Sequence, residues 1–273
     1  MRERAGTFIW FVSTAVLTLG SDLTSVAARV PRPNVNEIVR QSAAVTEADR
    51  KASSVFDYSE TEHAPDGTSR TYAVHMLYGS PYRELIAVNG KSLSPQDQEQ
   101  ERSKLEHEAA RRAQETPGQR AHRIADYERD QARDRHFIEE FTHAFNFKLL
   151  GEHVLDGRQV YVIEATPRRD YQQTDRESQV LTGMRGKMWI DKQTNHWVKV
   201  EAEVIHPVSI AGFLATVEPG TRFELDKAPV EDGVWLPKHF EMKANAKVLG
   251  LFEHTKQQDE NYFDYHKASQ ARP

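Results

Sequence analysis

Hydrophobic and polar residues alternate with a period of two along most of the chain, and two stretches break into helical spacing. The first covers residues 35–52. Asn34 stands before it as a cap with Glu37 three residues on, close to a capping box. Val35, Ile38, Val39, Ala43 and Val45 give an imperfect apolar stripe. Strands are predicted at 54–62, at 71–78, where Tyr72, Val74, Met76 and Tyr78 share a face, and at 83–88. Asp66-Gly67, Gly79-Ser80-Pro81 and Asn89-Gly90 turn the chain.

The second helical stretch occupies residues 94–143. Residues 95–115 are dense in Glu, Gln, Arg and Lys, with Leu105 almost alone, and Thr116-Pro117-Gly118 breaks the run. Helical spacing resumes with Ile124, Tyr127, Ile138, Phe141 and Phe145 near one face. This reads as a helical hairpin whose first arm is solvated and whose second arm docks. The mixed sign of its charge favours a solvated helix over a nucleic-acid arm. From Phe145 onward the pattern is β again, with strands at 147–155, 159–165, 184–191, 196–205, 209–217, 221–227, 234–248 and 250–265. Asp156-Gly157, Pro219-Gly220 and Asp232-Gly233 mark turns.

About eleven strands with hairpin turns and no βαβ spacing predict a mainly β protein with added helices (α+β). The expected architecture is a single curved antiparallel sheet or incomplete barrel, covered by the N-terminal helix and the helical hairpin. Candidate linings follow from taking one alternating face per strand: Tyr72, Val74, Met76, Met188, Val200, Phe213, Phe240 and Met242, with Tyr127, Ile138 and Phe141 as the lid. These positions suit either a packed core or a cavity for flexible acyl chains, since Met and aromatic side chains repack readily.

The start of the chain points to export. Arg2 and Arg4 precede an uncharged run of about 16 residues, short of the ~20 that span a bilayer, and Ser25, Val26 and Ala27 supply small residues for cleavage. A signal peptide over 1–27 and a single domain over 28–273 are expected, with a periplasmic location. The 273 residues include no cysteine, which removes disulfides, thiolate metal sites, cysteine nucleophiles and N-terminal lipidation through cysteine. A formal charge of -5 argues against nucleic acid as a partner.

Catalytic and metal signatures are sparse. His107-Glu108 starts a zinc-protease pattern, but Arg111 takes the place of the second histidine. His136 and His143 lie too far apart along a helix to share an ion readily, and Glu201 and Glu203 read as a solvated outer face. No nucleophile elbow, phosphate loop or dinucleotide fingerprint occurs. The expectation is a protein without catalytic residues, metal or cofactor.

Residues 186–204 (GKMWIDKQTNHWVKVEAEV), followed by Gly212 and the run Asp232-Gly233-Val234-Trp235-Leu236-Pro237, resemble the superfamily of periplasmic lipoprotein carriers and outer-membrane lipoprotein-sorting proteins (LolA/LolB-like). The resemblance implies an incomplete barrel of about eleven strands, lidded by helices, around a hydrophobic cavity. It also implies a non-enzymatic role, with lipid or an acylated protein as partner and only transient membrane contact. The missing cysteine sets the chain apart from the membrane-anchored members, and the insertion at 94–143 is longer and more charged than a typical carrier's lid. The alternative functions are an envelope sensor or protein-interaction module with an envelope protein as partner and, ranked last, a secreted hydrolase.

Overall fold

The computed structural model describes residues 33–175, 178–210, 215–248 and 252–268, apart from the side chains of 130, 133, 134, 137 and 248. The signal peptide expected over 1–27 and the candidate lining residue Phe213 lie outside the described residues.

Among the described residues, thirteen strands form one antiparallel sheet. The N-terminal strands are β1 (Phe56–His63), β2 (Ser69–Leu77), β3 (Ser80–Val88) and β4 (Lys91–Ser92). Then come β5 (Phe145–Leu155), β6 (Arg158–Pro167), β7 (Met184–Asp191), β8 (Trp197–Val204), β9 (Val208–Ser209) and β10 (Ala215–Val217). The chain closes with β11 (Arg222–Pro229), β12 (Trp235–Val248) and β13 (Phe252–Lys267). The main path runs β4-β3-β2-β1-β13-β12-β11-β8-β7-β6-β5, and β9 and β10 extend it beside β12. The two strands beyond the eleven expected are the two-residue β4 and the division of the 209–217 segment into β9 and β10. The sheet does not close, because β4 and β5 stand at opposite ends of the path.

That order explains the long insertion. Helices α2 (Pro95–Ala113) and α3 (Pro117–Ala144) connect β4 to β5, the two edges of the sheet. Ten inter-strand steps of about 4.8 Å would separate flat edges by ~48 Å. At 1.5 Å per residue, the 28 residues of α3 reach ~42 Å. One helix can bridge the sheet only when the sheet curves beneath it. Caps begin both arms: Ser94 before Pro95, and a complete Thr116/Gln119 capping box before Pro117.

Two arginines fasten this insertion to the β2–β3 hairpin. Arg112 is the buried side chain of an otherwise solvated α2, and it donates to the carbonyls of Leu77 and Ser80 at 2.9 and 2.8 Å. Arg123 of α3 donates to the carbonyl of Tyr78 at 3.1 Å and to Ser80 Oγ at 2.7 Å. The turn they grip places Tyr78 and Gly79 at φ of 49° and 87°, the left-handed pair that a two-residue hairpin needs. Tyrosine enters that region at a cost, which the arginine–carbonyl bonds help to offset.

Helix α1 (Val35–Ser53) starts at Asn34, whose side chain accepts the Asn36 amide at 3.1 Å. Its buried face differs from the apolar stripe read in the sequence. Ile38, Val39, Ser42, Thr46 and Asp49 are buried, whereas Ala43 and Val45 are only half-buried. The C-terminal half of the contact is therefore polar. Ser42 Oγ accepts the indole N–H of Trp197 at 3.0 Å. Asp49 accepts from Lys227 Nζ at 3.1 Å and from the Trp235 backbone N–H at 3.0 Å, with His196 Nε2 at 3.4 Å. Burial draws both Lys227 and His196 below their ordinary pKa values, although Asp49 pulls each the other way.

Beside this anchor the space between helices and sheet is filled by Ile38, Val39, Ile163, Met188, Ile190, Trp197 and Val200. A second cluster of Ala144, Phe145, Ala165, Leu181, Met184 and Val204 seals the α3–β5 end. The register of β8 shifts opposite Trp189 and Ile190. Trp197 and Val200 join the helix-side core, and Val198 packs with Val160, Val162 and Trp235 in a separate cluster.

Removing one partner of a buried ion pair strands the other. Asp49→Ala is expected to destabilise the fold by about 3–5 kcal/mol in urea unfolding. Asp49→Leu with Lys227→Met should recover more than half of that loss. A loss under about 1 kcal/mol for Asp49→Ala would show that the pair does not anchor α1.

Candidate functional site

A cavity of about 670 Å³ lies between α1, α3 and strands β8, β11, β12 and β13. Its sheet wall carries Trp197 and Val200, then Phe223 and Leu225, then Leu236 and Phe240. Strand register sets this wall: Val200 opposes Leu225, Leu225 opposes Phe240, and all three point to the helix side. Ile138 and Phe141 of α3 form the facing wall. Phe141 packs against Phe145, Phe147 and Trp197 at ring separations of 5.0, 5.5 and 6.2 Å, which closes one end.

The remaining lining is polar and falls into two groups. On the α1 side are Thr46, Arg50 and Ser53, with Gln131 of α3 and Lys227 of β11. Arg50 binds Glu47 and donates to Gln131 at 2.9 Å, bridging α1 to α3. The hydroxyl of Thr46 is buried and has no hydrogen-bond partner. On the β13 side are Gln258, Glu260 and Tyr262. Glu260 accepts from Gln258 Nε2 at 2.7 Å and from the Tyr262 hydroxyl.

Behind Glu260 the carboxylates of Glu60 and Glu62 on β1 place oxygens within 4.8 Å of it and of each other. Arg83 of β3 donates to Glu60 at 3.0 Å and to Glu62 at 2.6 Å, with its guanidinium 3.9 Å from the centre of the Tyr72 ring. Burial, reinforced by Glu260 and Glu62, raises Glu60 to about 7, while Arg83 opposes the shift. Tyr58 packs its ring on Tyr262 and Tyr265, and burial raises all three phenols above their ordinary range.

The structure brings only part of the sequence-derived set together. Val200, Phe240, Ile138 and Phe141 line the cavity. Met188 is fully buried within the filled core. Val74 is buried on β2, and Tyr72 lies under Arg83. Met76 and Met242 are half-buried outside the cavity lining, as is Tyr127 in α3. Phe223, Leu225, Thr46 and the Glu260 cluster were not among the residues singled out. Phe223 and Leu225 carry a signal that could have found them, since they alternate along one strand. The carboxylates carry none until β1 and β13 are known to pair. Glu224, Asp226 and His239 also approach one another within 4.8 Å. The Lys199 ammonium already binds Glu224 and lies 3.9 Å from Asp226.

No family model and no curated protein matches the chain. Among solved structures it is similar to a LolA superfamily protein from Nitrosomonas europaea, at 12% identity over 87% of this chain and 94% of that one, with a TM-score of 0.31. It is also similar to a DUF1329 family protein from Desulfovibrio piger, at 9% identity over 84% and 92%, with a TM-score of 0.29. A third similarity is to the MucA/MucB complex structure from Pseudomonas aeruginosa, at 10% identity over 84% and 93%, with a TM-score of 0.23.

The folded state holds the Glu60 proton to about pH 7, whereas the unfolded chain releases it near 4.5. Stability from this group is therefore lost as pH rises between those values. Glu60→Gln should gain melting temperature relative to wild type across that window and hold the gain above pH 7. Thermal unfolding from pH 4.5 to 8.5 checks this, and a pH-independent difference would contradict the assignment.

Proposed function

We propose that this chain is an exported, non-enzymatic carrier or binding protein for an amphiphile, lipid or acylated protein. The observation that carries the reading is the cavity of about 670 Å³ beside a filled core. Small-molecule sites commonly have volumes of ~300–1,000 Å³, with apolar walls and a few placed polar groups. The aliphatic and aromatic wall suits a hydrocarbon chain. The charged start, apolar run and small residues of 1–27 support passage into the periplasm. Among the described residues no helix is long and apolar enough to cross a membrane.

One observation favours a second reading, an envelope protein-interaction module. Helix α2 presents charged side chains to solvent along its length, paired within the helix by Arg102–Glu99, Lys104–Glu101 and Arg111–Glu108. Such a face is available to another protein without disturbing the cavity.

The neutral fluorescent probe N-phenylnaphthylamine should bind purified, delipidated protein saturably. Leu225→Trp, which fills the cavity, should weaken that binding at least ~10-fold with a stability change under about 1 kcal/mol. Met188→Trp should instead destabilise by about 1–3 kcal/mol, because its site is already packed. No saturable binding, or reversal of the two stability effects, would defeat the carrier reading.

A further inference from the structure

The closed end of the cavity is a partition with space on its far side. Phe141, Val200 and Phe223 line the main cavity, and the same three residues line a second hollow of about 20 Å³. Phe145, Leu181, Met184 and Met188 wall the hollow beyond them.

Strand register explains why the hollow exists. Along β7 and β8, Met184 opposes Val204, Gly186 opposes Ala202, and Met188 opposes Val200. A row of small residues thus lies between two rows of large ones on the helix side of the sheet. Ala202 opposes Phe223 of β11, so the small row points at the partition. A Cβ on Gly186 would stand 3.1 Å from the Glu201 carbonyl oxygen and 3.6 Å from Ala202 Cβ, so the backbone is drawn close where the small row lies.

The partition itself is made of side chains. Phe141 comes from the last turn of α3 and Phe223 from β11, and both rings are only half-buried. Phe141 is positioned by ring contacts with Phe145, Phe147 and Trp197. The aliphatic and aromatic wall of the main cavity runs up to these two rings, and truncating either would join the two spaces.

We propose that Phe141 and Phe223 are a length stop: the terminal methyl of a bound hydrocarbon chain rests on them, and they fix the longest chain that the cavity accepts. The proposal rests on the carrier reading and adds a specificity rule to it. Each methylene that enters apolar space strengthens binding about 4-fold. A methylene added after the terminal methyl has reached the stop folds back or stays in water and gains little.

The test is a series of alkyl maltosides from octyl to hexadecyl in two-carbon steps, each below its micelle concentration. They share one neutral head, so the chain alone varies. Isothermal titration of the delipidated full chain should show steps of ~14-fold per two carbons, then a break after which each step is under ~3-fold. Phe141→Ala should move the break at least one step toward longer chains. Adding Ala202→Val, which fills the hollow, should return the break to its wild-type position. Phe223→Ala, on the sheet side of the partition, should move the break in the same direction and serves if Phe141→Ala does not fold. Full steps through hexadecyl in wild type, or a break that stays in place in the folded variants, would overturn the stop while maltoside binding still supports the carrier. A break that moves with Phe141→Ala and ignores Ala202→Val would overturn the part assigned to the hollow. Failure of folded wild-type protein to bind any member of the series would overturn the carrier reading itself.

Discussion

Asp49 holds the helical layer to the sheet. One oxygen takes the Lys227 ammonium from β11, the other takes the Trp235 backbone N–H from β12, and His196 stands against the same carboxylate. All three side chains are buried. A buried charge without its partner is expensive, which fixes the azimuth of α1 more sharply than apolar packing does. Strands β11 and β12 are neighbours, so a single carboxylate sets the distance between α1 and the middle of the sheet. The indole of Trp197 on Ser42 repeats the constraint one strand further, on β8.

With α1 fixed, the space beneath the helices divides. Toward β6 and β7, Met188, Ile190 and Ile163 reach the helices and fill it. Toward β12 and β13 the sheet curves on while α3 must still bridge from the β4 edge to β5, and the wall residues Leu225 and Phe240 face open volume. Arg112 and Arg123 prevent α3 from settling into that volume, because they fasten the insertion to the β2–β3 turn at its other end. The cavity is thus a consequence of two polar anchorages that hold the helical layer away from part of the sheet. Apolar collapse alone would tend to remove such a void.

The strands and turns were largely legible in the sequence. Period-two alternation and the pairs Asn89-Gly90 and Asp156-Gly157 place hairpins where they occur, with positive φ at all four residues. Helix α1 was legible in extent but not in orientation. Val35, Ile38, Val39, Ser42, Thr46 and Asp49 follow helical spacing, yet half of them are polar and a reading of hydrophobicity passes over them. The β8 register shift, which separates Val198 from Val200, leaves no mark in the residue pattern. Met188 and Val200 look alike in sequence. They differ only because one faces a full layer and the other an open one, a distinction set by distances between strands and helices. The Glu60–Glu62–Glu260 cluster depends on β1 pairing with β13 across some 200 residues, beyond the reach of local patterns.

The central claim is that the space over β8, β11, β12 and β13 is a ligand cavity maintained by the fold. Native mass spectrometry of the protein recovered from its own host without detergent tests it most directly, with an aliquot passed through denaturing delipidation as reference. The account predicts a discrete added mass in the native spectrum that is lost in the reference and is identified, after extraction, as an amphiphile. A native mass equal to the bare chain, in protein that also fails to take up an added amphiphile, would contradict it.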